Sequence, residues 1–191
     1  MLGIIGSAGR KEDRAKLLEG KLWVSAQYLV LDFIKTHGIK ELVSGGAARA
    51  DQLAVQLFNK GLVEHLVLAL PAPFDEKTKR FIEKGFKSPG STANYYHSIQ
   101  FKDTGRDTLA ELALAIAKGA EIIVGDGMFN RNSIVASRAE KMLAITFGEK
   151  SRLKDGGAAD TMKKFIKKKD AENSFHLDLN SMEVYNPATL S

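Results

Sequence analysis

The stretch SGGAARADQLA (44–54) ends an apolar run in Ser44, Gly45 and Gly46, then sets Arg49 and Asp51 at the head of an amphipathic run. Two readings fit: a tight turn leading into a capped helix, or a backbone cradle for a phosphate with an arginine beside it. The pattern recurs along the chain. Gly6-Ser7-Ala8-Gly9-Arg10 follows the first apolar run, Gly125-Asp126-Gly127 follows EIIV, and Gly156-Gly157 opens AADTMKKFIKKK. Glycine lets backbone approach a ligand closely, and a helix start presents unpaired N–H groups with a partial positive charge. Four such turns on one edge of a sheet would form an anion-binding rim. The dinucleotide fingerprint G-x-G-x-x-G and the P-loop G-x-x-x-x-G-K-[ST] are both absent. Their absence weighs against hydride transfer and kinase-like phosphoryl transfer.

Those turns need elements to hold them. LGIIGS (2–7), KELVSGG (40–46), HLVLALP (65–71), EIIVGDG (121–127), MLAITFG (142–148) and SFHLDL (174–179) read as six buried strands. Between them, KLWVSAQYLVLDFIKTHG carries Leu22, Ala26, Leu29 and Phe33 at helical spacing, with His37-Gly38 as its stop. ARADQLAVQLFNKG, DTLAELALAIAKGA (capped by Asp107, stopped by Gly119), RNSIVASRAEK and DGGAADTMKKFIKKKD read as further helices. Residues 72–106 mix aromatics into a polar background. A short helix around 76–84 is expected there, followed by a mobile segment near the ligand site. Apolar strands alternating with amphipathic helices predict a single Rossmann-like, doubly wound α/β domain over residues 1–180, with a mainly parallel sheet of about six strands. Residues 181–191 read as a loosely attached tail.

The 191 residues carry no cysteine, so disulfides and thiolate metal sites are excluded. No apolar run reaches the ~18 residues needed to cross a bilayer. The first residues turn polar too early for a signal peptide, and a cytoplasmic protein without membrane association is expected. His65 and His97 have no partner at metal-ligand spacing, so neither a metal nor another cofactor is expected. The net charge of +5 gathers in KKFIKKK and its surroundings, which read either as a solvated helix face or as a positive rim for phosphates.

GSAGR, SGGAARADQLA, NRNSIVASRAEKMLAITFG and GGAADT follow one another in the order seen in SLOG proteins. That superfamily joins the DNA-processing protein DprA to the LOG cytokinin-activating enzymes, and the chain most resembles its YspA and YpsA branches over roughly residues 2–179. Ala48 stands where the family often has glycine, and Ala158-Ala159 replaces the usual Gly-Thr. The resemblance implies a Rossmann-like domain whose rim binds nucleotides or nucleotide-derived molecules. By position, Ser7, Arg10, Gly45, Gly46, Arg49, Gly156, Gly157 and Thr161 would face phosphate. Arg49 equally suits a surface pair with Asp51 or Glu12, and Thr161 a hydroxyl bonded back to its own helix. Arg131 suits a bidentate grip on phosphate, whereas Asn132 fits an ordinary helix cap. Asp126, at a strand exit, could hold a ribose hydroxyl. Tyr95 and Tyr96 could stack a base or pack beneath their own loop.

LOG enzymes cleave N-glycosidic bonds with a glutamate following P-G-G-x-G-T-x-x-E. Here that place falls to Lys163 or Lys164, and Asp160 is the nearby carboxylate. The leading expectation is therefore binding or sensing of a nucleotide-derived small molecule. An N-glycosidase of the phosphoribohydrolase or deoxyribosyl-transfer type would need a carboxylate from elsewhere, with Glu76, Asp107 and Glu111 as candidates. A third reading is DprA-like nucleic-acid binding through residues 150–169. Helix faces rich in Leu and Ala also suit a homo-oligomer.

Overall fold

Alternation along the buried strands decides the layering. The computed structural model describes residues 1–7, 13, 14, 20–150, 152–154 and 156–186. In chain order the elements begin with β1 (Leu2–Gly6), α1 (Gly20–Thr36), β2 (Glu41–Ser44), a 3₁₀ turn (Arg49–Asp51), α2 (Gln52–Asn59), β3 (His65–Leu70), β4 (Phe74–Asp75) and β5 (Arg80–Phe81). There follow α3 (Pro89–Thr104), α4 (Thr108–Ala117), β6 (Glu121–Val124), α5 (Gly127–Arg138), β7 (Lys141–Thr146), α6 (Gly157–Lys168), β8 (Ser174–Asp178) and β9 (Glu183–Tyr185).

Seven strands form one sheet in the order β6-β3-β2-β1-β7-β8-β9, parallel throughout except for the antiparallel β8–β9 pair. Leu2, Ile4, Leu42, Leu66, Leu68, Leu143 and Ile145 point to the face covered by α1, α2 and α4. Their neighbours Ile5, Val43, Val67, Ala69, Met142 and Ala144 point to the face covered by α5 and α6, against Val135, Met162 and Phe165. Strands buried on both faces read as unbroken apolar runs, which is why they stand out in the sequence. The expected doubly wound domain is this one, with a seventh strand. Residues 183–185, in the segment read as a tail, pair with β8 through Leu177↔Val184.

Helix ends follow local chemistry. Asp107 caps α4 by accepting the Ala110 N–H at 2.9 Å, and α1 stops at Gly38 with φ of 60°.

The segment after β3 departs from expectation. In place of a short helix, residues 74–81 form a hairpin: Phe74 packs edge-on against Phe81 at 5.2 Å, and Asp75 accepts the Lys77 N–H at 2.9 Å in the turn. The Asn94 side chain then bonds both backbone groups of Phe81, at 3.0 and 2.9 Å, tying the hairpin to α3. In place of a mobile segment stands the 16-residue helix α3, capped by Ser88 with Pro89 in its first turn. Its inward positions Gly90, Ala93, Asn94, His97 and Gln100 keep helical spacing but are mostly polar.

Candidate functional site

From β1 the chain steps outward through β2, β3 and β6, then returns to β7 on the other side of β1. A doubly wound sheet opens a crevice at such a switch point, beyond the carboxyl ends of its strands. Here that crevice is a cavity of about 410 Å³, within the range of small-molecule sites. Gly6 and Ser7 line it after β1, Gly45 and Gly46 after β2, Arg131 and Asn132 from α5, and Gly156, Gly157 and Thr161 from α6. Pro71, Phe81, Ala93 and Met128 give it an apolar wall.

The turn after β2 is filled by the protein itself. Gly46 takes φ of 63°, where glycine is favoured, and a Cβ on Gly45 would lie 2.5 Å from Arg131 Nη1, so Arg131 packs directly on that glycine. The Asp51 carboxylate folds back beneath the turn and accepts the Ala47 N–H at 3.3 Å, with the amides of Gly6 and Gly45 also directed at it. Burial pushes the Asp51 pKa up from the ordinary carboxylate value, against the opposing pull of Arg131 and those amides. Arg131 donates through Nη1 to Gly45 O at 3.2 Å and stands 3.7 Å from Asp51 Oδ2. Its Nε and Nη2 donate to Asn132 Oδ1 at 3.2 and 2.9 Å. Asn132 in turn donates to Asp160 at 3.0 Å, and Lys164 closes the relay on Asp160 at 2.8 Å. Desolvation pulls the Asp160 pKa upward, but Lys164 and Asn132 outweigh it and the net direction is down.

Two buried histidines fix hydroxyls beside the cavity. Gly46 O can only accept, so His97 Nε2 carries the proton toward it at 3.2 Å, while Nδ1 accepts from the Thr108 hydroxyl at 2.7 Å. Burial lowers the His97 pKa to about 4, partly countered by Gly46 O. By the same logic His176 Nδ1–H faces Lys150 O, and its Nε2 accepts from Thr146 Oγ1 at 2.9 Å. Thr146 is a residue of the cavity lining, and its hydroxyl is thereby committed as a donor and keeps its lone pairs.

The head of α6 is different. Its first intrahelical bond runs from Asp160 N–H to Gly156 O at 3.0 Å, so the amides of Gly157, Ala158 and Ala159 have no partner within the helix. No side chain caps it among the described residues, and Gly156 has open space where a Cβ would project. Lys154 stands nearby on the lining, paired with Asp13 at 2.8 Å, and Ser7 donates to the same carboxylate at 3.4 Å.

Of the residues singled out in the sequence, Ser7, Gly45, Gly46, Arg131, Asn132, Gly156, Gly157 and Thr161 meet at this cavity. Three do not join them. Arg10 lies outside the described residues. Asp126 is exposed beside the entrance of α5 and is not on the lining. Arg49 is turned away: its backbone sits at φ of 74°, its N–H donates to Gln100 Oε1 at 2.6 Å, and its buried guanidinium pairs with Asp103 of α3. Asp103 also takes Arg14 at 2.5 Å, which leads in holding its carboxyl below the usual range. Asn132 is no cap, because α5 starts at Gly127 and places it a turn inside. The Thr161 hydroxyl does bond back to Gly157 O at 2.8 Å, while its residue still lines the cavity. Tyr96 lines the cavity and Tyr95 is exposed.

Sequence reading missed Asp13, Thr146, Phe81, Met128 and His97. The Ser88-Pro89 pair was the signal that could have revealed α3, and with it His97. Glu76, Asp107 and Glu111 are not on the lining; among the described residues the carboxylates that are belong to Asp13 and Asp51.

No family model and no solved structure matches the chain. The uncharacterized protein R261 of Acanthamoeba polyphaga mimivirus is 30% identical over 169 residues, covering 85% of this chain and 89% of the viral one. The chain belongs to the same family as that protein.

Proposed function

We propose that this member of the mimiviral protein's family binds a nucleotide or nucleotide-derived small molecule in the cavity at the sheet's carboxyl edge. One observation carries the reading: the glycine turns after β1 and β2, Arg131 and the uncapped head of α6 face a single cavity of about 410 Å³. Helix amides and a neighbouring lysine suit phosphate oxygens. The apolar wall of Phe81, Ala93 and Met128 suits a base. The SLOG resemblance points to the same ligand class.

A thermal-shift panel of nucleoside mono- and diphosphates, ADP-ribose, NAD and cyclic dinucleotides tests it. A ligand at 100 times its Kd stabilises by about 2.7 kcal/mol, which moves Tm by roughly 5–10 °C at this chain length. Arg131→Ala should cancel the shift, and Lys167→Ala, on the outer side of α6, should preserve it. A folded protein that responds to none of these compounds overturns the reading.

The N-glycosidase reading is favoured by one observation, the two carboxylates Asp13 and Asp51 on the lining. It requires base release from the compound that gives the shift, and release must stop in Asp13→Asn or Asp51→Asn while binding persists.

A further inference from the structure

Gly45-Gly46 invites the assumption that phosphate sits in the turn after β2. That turn is already partly engaged. The Ala47 N–H donates to the Asp51 carboxylate at 3.3 Å, and Asp51 is buried on the cavity lining. A phosphate at the same place would meet a like charge in a poorly solvated pocket. Arg131 cannot neutralise both, since it spreads its donors over Gly45 O, Asn132 Oδ1 and the Asp51 ion pair.

What the floor still offers is acceptors. A carboxylate has about four lone-pair sites, so Asp51 can take a further O–H beside its amides. Thr146, at the end of β7 next to β1, donates its O–H to His176 Nε2, which leaves its oxygen only as an acceptor.

We infer that the floor around Asp51 and Thr146 recognises sugar hydroxyls of the ligand rather than its phosphate. The inference rests on the nucleotide reading above and assigns its parts within the cavity. Asp51 thereby takes the hydroxyl-binding role that the exposed Asp126 suggested in sequence.

The test is calorimetric titration of the intact chain with the four ribonucleoside 5′-monophosphates and with their 2′,3′-dideoxy counterparts. Losing hydroxyls that satisfy buried acceptors should weaken binding about 10- to 100-fold. Asp51→Asn should shrink that ratio to about threefold or less. If this variant fails to fold, the wild-type comparison alone decides. Equal affinity for the ribo and dideoxy forms overturns the assignment and leaves nucleotide binding standing. Failure of every monophosphate to bind overturns the assignment, and the nucleotide reading then falls only if the wider thermal-shift panel fails as well.

Discussion

The turn after β2 and the head of α6 share a glycine pair, yet the molecule treats them in opposite ways. At the first, the protein's own groups crowd the turn: Asp51 takes the Ala47 amide, Arg131 lies where a Gly45 Cβ would be, and Gln52 and His97 take the Gly46 carbonyl. At the second, glycine leaves room and the amides of the first helical turn lack intrahelical partners. Glycine therefore signals close approach without saying who approaches. At one turn it is the protein's own side chains, and at the other there is space for something else.

The comparison breaks first where the filled turn is anchored. Asp103→Ala strands the Arg49 guanidinium, only 4% exposed. Removing one partner of a buried pair costs about 3–5 kcal/mol, or roughly 10 °C in Tm. Asp160→Ala, at the open end, should cost under about 1 kcal/mol because both it and Lys164 are part-exposed. Similar losses at the two sites, read by urea unfolding, would erase the distinction.

Acid should loosen the filled turn next. His97 is held neutral to about pH 4, below its ordinary 6.5. Between those values the unfolded chain binds a proton that the native chain refuses, so stability falls with pH through this window, by about 3 kcal/mol in all. Asp51 acts with the opposite sign, since its raised pKa lets the native state take a proton first. His97→Gln should flatten the His97 part of the profile, seen as urea midpoints at pH 7 and 4.5 drawing together.

Adding one methyl group gives the finest comparison. Gly45→Ala must push Arg131 aside from 2.5 Å and should cost about 1–3 kcal/mol. Gly157→Ala, whose Cβ would meet only Asn132 Nδ2 at 4.0 Å among the described residues, should stay within about 0.5 kcal/mol of wild type. Equal thermal midpoints for the two variants would contradict the filled-versus-open picture.

The sheet and the glycine turns of the lining were legible in the sequence because their signals are local. Apolar runs such as HLVLAL mark strands buried on two faces, and glycines after strands mark the edge where a cavity opens. The fate of Arg49 was not legible. Its partner Asp103 lies more than fifty positions away, on a helix whose buried face is Asn94, His97 and Gln100. Polar residues at helical spacing hide an inward stripe from any reading based on hydrophobicity. Likewise, Asp51 looks like a first-turn carboxylate until the fold shows its side chain bent back under the turn.

The β4–β5 hairpin and α3 enter the chain after β3 and leave before α4 and β6, although β3 and β6 are sheet neighbours. Phe81, Ala93, Tyr96 and His97 all reach the cavity from this excursion. That wall of the cavity is thus a long insertion between two sheet neighbours. It is locked to the frame by the same His97, Gln100 and Asp103 contacts that hold the turn after β2, so the wall that a ligand would meet and the anchor of Arg49 are one element.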